Sequence, residues 1–464
     1  MEDYSKAHQN SVLFVICMAT TLTPFMGSSM NLALPVIARE FSMNAISLSW
    51  VVSIFLLSSA IFPVPFSRLA DMVGRKKIFT LGVLFFTIAT LLCGLTTSGA
   101  LLITARLIQG IGASMMFATN MAILTSVFPP EKRGKALGIN TAVVYISISS
   151  GPFIGGLLTH YLGWRSLFFI TAFVGLITLM GVLIFMKGEW IESKGEHFDW
   201  KGVLLYGIGL SSLIYGFSNL PNTNGFILIS SGVIALFLFV IYEKNLQSPV
   251  LNVRLFWENR VFGFASTAAL INYAATFAIS FLLSLYLQYI KGITAQHAGI
   301  ILMAQPVTQA ILSPIAGKWS DKTDARKLAT LGMAILVVGL LLLLFLNPFT
   351  PILAIILITI LLGVGFGIFS SPNVNVIMSS IERKHLGMAS ATTNTMRLTG
   401  QSFSMGITMM VISIFVGKVK ISPEILPQFM ESIHVIFIIL AALCCIGVYT
   451  SWSGIRSQKL PARI

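Results

Sequence analysis

Two arginines stand inside long apolar runs: Arg106 in GALLITARLIQGIGASMMFATN and Arg397 in TTNTMRLTGQSFSMGITMMV. A guanidinium within hydrocarbon costs ~2.5–3.5 kcal/mol on insertion scales. It therefore faces a cavity or a bundle interior, or reaches back to the interface from a helix end. At helical spacing Gln109, Gly110, Ala113, Phe117 and Asn120 share the face of Arg106. Gly400, Gln401, Ser404 and Thr408 share that of Arg397, with Asn394 one turn earlier. Neither face holds an acid or a metal-ligating pair. Such faces suit binding of an anionic or hydrogen-bonding solute, with a structural bond to another helix's carbonyls as the alternative for Arg397.

The elements that carry these residues follow from composition. Of 464 residues 56% are hydrophobic and 10% charged, and mean hydropathy is +0.88. Apolar runs long enough to cross about 30 Å of hydrocarbon recur from end to end. The alternating segments of an outer-membrane barrel are absent. An all-α polytopic membrane protein is expected, with about 14 transmembrane helices. Their approximate bounds are 11–34, 46–66, 78–96, 101–122, 135–158, 165–186, 200–218, 224–243, 260–288, 296–317, 328–346, 352–373, 389–416 and 433–453. The first run exceeds a signal-peptide core and is read as an uncleaved span.

The net charge of +14 is a matter of topology, not of nucleic-acid binding. Of the 30 Lys and Arg, roughly 23 fall on one side of this layout and roughly five on the other, with Arg106 and Arg397 inside spans. That skew places both termini in the cytoplasm of a multi-pass cell-membrane protein. All seven Trp lie near expected span ends, as interfacial anchors do. Cys17, Cys93, Cys444 and Cys445 all sit in apolar segments, as small core residues. The six His are scattered, so no metal site is expected, and no cofactor. There is neither a GxxxxGK[ST] phosphate loop nor a His/Asp/Glu catalytic cluster, which argues against ATP drive and against an enzyme.

The chain echoes itself. PFSRLADMVGRKK (65–77) closes the second span and PIAGKWSDKTDARK (314–327) the tenth. Each has a small residue four before an Asp, Ser67 before Asp71 and Gly317 before Asp321, and then an Arg, Arg75 or Arg326. We read two six-helix bundles, 1–190 and 248–464, around an inserted transmembrane hairpin at 191–247. Parallel repeats of this kind hold substrate near the midplane between them. The segment SPVLNVRLFWENR (248–260) either lies along the membrane surface or simply connects.

These motifs resemble the fourteen-span drug/proton antiporter (multidrug efflux) branch of the major facilitator superfamily over nearly the whole chain. SRLADMVGRKK resembles its loop 2–3 signature and RLIQGIGAS (106–114) its fourth-span motif. SGPFIGG (150–156) resembles its antiporter fifth-span motif, and NLALP (31–35) the end of its first-span signature. The resemblance implies the major facilitator fold and secondary transport by alternating access. It implies a cytoplasmic gate at Asp71 and Arg75, with Asp321 and Arg326 as a weaker partner, and a flexing fifth span at Gly151, Pro152, Gly155 and Gly156. Pro152 also frees a carbonyl one turn back, and Ser147, Gly151 and Gly155 at four-residue spacing permit close helix approach.

The chain departs from that branch where a first-span Asp is common, five residues before Asn31; here it is Met26. All sixteen acids fall in loops, tails or span ends. A coupling proton then belongs to peripheral groups such as Asp71 or Glu40, rides on the substrate, or is absent. A cavity with two Arg and no carboxylate favours anionic, zwitterionic or neutral amphipathic solutes over lipophilic cations. The expected cavity residues are Arg106, Gln109, Asn120, Asn31, Asn373, Asn394, Arg397 and Gln401. The expected partners are a small-molecule substrate, the lipid bilayer and, as coupling ion, protons; a monomer suffices. The leading reading is an exporter of small amphipathic compounds, and the alternatives are an organic-anion importer, an uncoupled facilitator, or a non-transporting membrane receptor or scaffold on a transporter fold.

Overall fold

The computed structural model describes residues 5–191, 198–246, 251, 253–381 and 386–456. Glu2, Asp3, Glu192, Lys194, Glu196, Arg383, Lys384, Lys459 and Arg463, all assigned above to loops or tails, lie outside these. The described residues are helical or in short connections. Helices are what hydrocarbon demands, because each satisfies its own backbone polar groups. Twelve of them are long and apolar enough to cross a membrane, and a bent pair makes a thirteenth.

The first group comprises α1 (Lys6–Glu40), α2 (Ala45–Ile61), α3 (Pro63–Val73), α4 (Arg75–Leu95), α5 (Gly99–Val127), α6 (Pro130–Tyr161) and α7 (Arg165–Phe185). The second span is the bent pair: α2 and α3 meet at 43°, where Pro63 opens α3. Gly74, at φ +127°, then turns the chain into α4, a conformation that residues with a Cβ rarely adopt. Side-chain caps start the helices. Ser5, Asn44 and Ser98 each accept a backbone N–H at the head of α1, α2 and α5.

α8 (Trp200–Phe217) and α9 (Thr223–Lys244) form the hairpin. Gly209 and Gly216 of α8 lie against α9, and Gly232 of α9 against α8. α8, opening on Trp200 and Lys201, is not among the twelve, although it packs beside α9. Tyr206 of α8 is buried, and its hydroxyl lies 2.9 Å from Thr399 Oγ1 and 3.4 Å from Ala60 O. The hairpin thereby touches both groups of helices.

The last group comprises α10 (Leu255–Glu258), α11 (Arg260–Leu285), α12 (Ala295–Leu302), α13 (Ala304–Ser320), α14 (Ala325–Leu343), α15 (Ile352–Ser379), α16 (Leu386–Phe415) and α17 (Leu426–Arg456). α11 runs on through a π-turn at Tyr286–Ile290. Of the 248–260 segment, 248–250 and 252 lie outside the described residues, and Leu255–Glu258 is one short helical turn.

The echo seen in the sequence recurs in packing. In α4 and α5, a Cβ on Gly112 would strike Phe86 N and approach Gly82 O. In α14 and α15, a Cβ on Gly332 would lie 2.5 Å from Phe369 N and 2.7 Å from Gly365 O. Both helix pairs approach backbone to backbone through the same glycine–phenylalanine arrangement, as small residues allow in lipid. One end of the bundle carries the basic loops (Arg75–Lys77, Lys132–Lys135, Lys318–Lys327). We call it the basic end, and the opposite end, with Arg39, Arg165, Lys291, Lys418 and Lys420, the sparse end.

Candidate functional site

The two arginines have different surroundings. Arg106 is 1% exposed inside the first group. Its Nε donates to Val51 O (3.0 Å) and its Nη1 to Gln109 Oε1 (2.6 Å). Gln109 Nε2 donates in turn to Thr90 Oγ1 (2.6 Å), and the guanidinium lies over the Phe55 ring at 4.4 Å. These bonds fasten α5 to α2 and α4. The Arg106→Ala variant leaves Gln109 Oε1 buried without its donor, at about 1–3 kcal/mol, and removes the second donor to Val51 O, which keeps its own helical bond. We expect a clearly lowered melting temperature in detergent, with Arg106→Lys intermediate because one ammonium does not reproduce the guanidinium fork.

Arg397 lies near the middle of α16 and is only partly buried. Its guanidinium carbon stands 5.7 Å from the ring centroid of Phe117 on α5, across the boundary between the two groups of helices. Its Nε is buried with no hydrogen-bond partner among the described residues. The Tyr273 phenol of α11 is within its electrostatic range. Tyr273 and Tyr145 of α6 both converge on Ser370 of α15, Tyr145 at 3.4 Å, and Tyr273 also packs edge-on against Phe366 at 5.5 Å. One cation, four aromatic rings and the Ser370 hydroxyl thus gather where the two groups meet. Such a set can hold a ring by stacking and an oxyanion or carbonyl by charge.

The other expected cavity residues are scattered. Asn120 donates to Thr20 Oγ1 (2.6 Å), and Thr20 to Asn140 Oδ1 (2.7 Å), tying α5, α1 and α6. Asn31 is buried toward the sparse end, where its carbonyl accepts from Ser284 Oγ (2.6 Å). Asn373 donates to Ala265 O (3.2 Å) and borders a small cavity with Arg326 toward the basic end. Asn394 and Gln401 are half-buried on α16, on either side of Arg397. Tyr145, Tyr273, Ser370 and Asn140 were not picked out by sequence reasoning. Their one available signal was a phenol or amide within an otherwise apolar span.

At the basic end Asp71 pairs with Arg75 at 2.8 Å, and Arg75 Nη1 donates to Ser126 Oγ (2.8 Å). These bonds are within the first group. The segment following α7 docks on the same loop. Lys76 N donates to Glu189 Oε1 (2.7 Å) and Arg75 N to Trp190 O (3.0 Å). Asp321 is exposed and accepts from Asn375 Nδ2 (3.2 Å).

At the sparse end the two groups are drawn together. Ala45 N donates to Val419 O (3.1 Å), Ser284 Oγ to Asn31 O, and Gln288 Nε2 to Leu32 O (3.3 Å). The four residues expected to flex are divided here. Gly151 and Gly155 rest on Ser28 and Ser29 of α1. Pro152 and Gly156 meet α12: a Cβ on Gly299 would overlap Pro152 O, and one on Gly156 would lie 2.6 Å from Ala295 O. Glu40, one of the peripheral acids considered for a proton, is bound by Arg165 Nη1 (2.6 Å) and Trp164 Nε1 (2.7 Å). Met26 is fully buried. Among the described residues the acids lie in connections or near helix ends, and no three His, Cys, Asp or Glu gather as a metal site.

Comparison with known proteins places this architecture. The sequence matches the family described as Major Facilitator Superfamily over residues 16–405, with a second match over 265–461. It is 31% identical over 395 residues to the riboflavin transporter RibZ of Clostridioides difficile, covering 85% of this chain and 86% of that one. It is 29% identical to the multidrug resistance protein Stp of Mycobacterium tuberculosis, covering 82% and 72%. The fold resembles the crystal structure of a bacterial homolog of the human lysosomal transporter Spinster, inward-facing and unoccupied, with TM-score 0.71 at 16% identity over 99% of this chain and 100% of that one.

Proposed function

The chain belongs to the major facilitator superfamily and is a multi-pass secondary transporter, not an enzyme; from that premise we propose that it carries small amphipathic, ring-bearing solutes by alternating access through the Arg397 cluster. Export of the drug-efflux type, as in the fourteen-span drug/proton antiporter branch, is the leading reading, and the likeness to a multidrug resistance protein supports it. The proposed layout is two six-helix bundles, 1–190 and 248–464, around the 191–247 hairpin. The basic end faces the cytoplasm, by the charge rule for insertion. In the described state the sparse end is closed, so the solute path faces the cytoplasm. Gly151, Pro152, Gly155 and Gly156 form the seam on which the first bundle moves, and the Asp71–Arg75 and Asp321–Arg326 loops gate the opposite side.

The observation that carries this reading is the Arg397 guanidinium. It faces a ring of the opposing group, has its Nε without a hydrogen-bond partner among the described residues, and has no described acid paired with it to cancel its charge. A cavity of this sign favours anionic, zwitterionic and neutral solutes. The test is uptake into proteoliposomes of a panel of anions, neutrals and cations, with and without a pH gradient. Anions and neutral ring compounds should move in preference to lipophilic cations, and the reverse order would overturn the proposal. A pH-insensitive rate would assign an uncoupled facilitator.

A second reading is uptake of a planar neutral solute. It is favoured by the rings of Phe117, Tyr273 and Phe366 beside one guanidinium, and by the likeness to a riboflavin transporter. Counterflow with a flavin as probe separates the two.

A further inference from the structure

A cleft of about 420 Å³ opens at the sparse end, away from the Arg397 cluster. Arg39 and Ser42, at and just beyond the end of α1, form one wall. Gln288 and Tyr289 of the π-turn after α11, with Lys420 and Ser422 of the α16–α17 connection, form the other. The two walls belong to the two groups of helices that must separate for this end to open. Arg39 and Lys420 are exposed, and neither forms an ion pair among the described residues. The acid next to Arg39, Glu40, is taken by Arg165 and Trp164, and the nearest acid on the other wall, Glu424, is exposed beside the lining residue Pro423. Gln288, one of the lining residues, donates through Nε2 to Leu32 O across the boundary, so the cleft lies where the two groups are in contact.

We propose that this cleft binds a small organic oxyanion, a di- or tricarboxylate or a phosphate ester, between Arg39 and Lys420, and that its occupancy holds the sparse end shut. Two like charges facing one cleft repel, and a multivalent oxyanion relieves that repulsion while accepting from both. The volume is within the usual range of small-molecule sites. Opening the sparse end pulls Arg39 away from Lys420, so the ligand binds the closed state and not the open one. A ligand at ten times its dissociation constant then raises the closed-to-open ratio about tenfold. The site is a regulatory one, at the sparse-end mouth of the path rather than at the central cluster, and it does not depend on which solute that cluster carries or in which direction.

The experiment uses the full chain in nanodiscs, where both faces are accessible, with citrate as probe. Calorimetry measures binding, and spin labels at Leu162→Cys and Phe349→Cys, with the four native cysteines replaced by Ala, report the separation of the sparse end. We expect saturable citrate binding, weakened at least tenfold in Arg39→Gln and in Lys420→Gln, retained in Arg39→Lys, and accompanied by a rise in the short-distance population. Unchanged melting of the variants shows that they are folded. Absence of citrate binding overturns the proposal, as does binding that survives in the Arg39→Gln/Lys420→Gln double variant. Binding that leaves the distances unchanged overturns the closed-state assignment. A distance change produced by anionic lipid in the nanodisc, and not by citrate in zwitterionic lipid, assigns the cleft to a headgroup and overturns the soluble-anion reading.

Discussion

We expect Arg397→Gln to weaken binding of anionic solutes, and with it any preference for them, while leaving the protein folded. The guanidinium has its Nε without a hydrogen-bond partner among the described residues, and its contact with the Phe117 ring crosses the boundary between the two groups of helices. Removing it therefore orphans little within the fold. Its loss to a bound anion is that of a charged hydrogen bond in a partly desolvated place, about 1.5–3 kcal/mol, or roughly 10- to 150-fold in affinity. Neutral ring compounds should lose much less, because the rings of Phe117, Tyr273 and Phe366 remain. Arg397→Glu should go further and admit lipophilic cations. Solute binding to purified protein, with melting temperature as the folding control, checks all three outcomes. The contrast with Arg106→Ala, which we expect to damage stability first, is the sharpest available separation of the two arginines.

The second large effect is at the seam between α6 and α12. Gly299→Ala places a methyl group into Pro152 O, a backbone atom of the opposing helix that cannot rotate away. The helices must part by a fraction of an ångström or more, and overpacking of this kind costs about 1–3 kcal/mol. That cost is charged only to the state in which the sparse end is shut. It should shift the closed-to-open ratio by about 5- to 150-fold, with a matching fall in transport and little loss of folded protein. Gly138→Ala, on the same helix α6, meets nothing within 4 Å and serves as the neutral control. Distances between labels at the two sparse-end rims, measured in both variants, decide the matter. Equal distances would remove the seam from the transport cycle.

Much of the fold was legible because hydrocarbon enforces a simple rule. Apolar runs of sufficient length became helices, whereas the bend at Pro63 inside the second span and the turn at Gly74 were not read from the sequence. A similar glycine–phenylalanine approach also recurs in the helix pairs next to the two echoed loops, at Gly112–Phe86 and Gly332–Phe369. The candidate site was legible only by face. Helical periodicity said that Arg106 and Arg397 each pointed away from lipid, along with amides and small residues. It could not say whether that direction met a neighbour of the same group, as for Arg106 and the Val51 carbonyl, or the opposite group, as for Arg397 and Phe117. Asn120 and Asn373 show the same ambiguity, since an amide on a polar stripe serves a helix contact as readily as a solute. Tyr145, Tyr273 and Ser370 were invisible for a different reason. A phenol or hydroxyl in a span carries almost no sequence signal until three helices bring several together.

The Tyr206 hydroxyl grips α2 through Ala60 and α16 through Thr399. If the two bundles rock against each other, one of these grips must slip on every turnover. The Thr399 bond is the shorter, and the hairpin's connecting turn is fastened to α16 a second time by Ser413 Oγ on Leu220 O. Among the described residues the inserted pair is thus held to α16 by more hydrogen bonds than to α2, and we expect it to travel with α16 in any such motion.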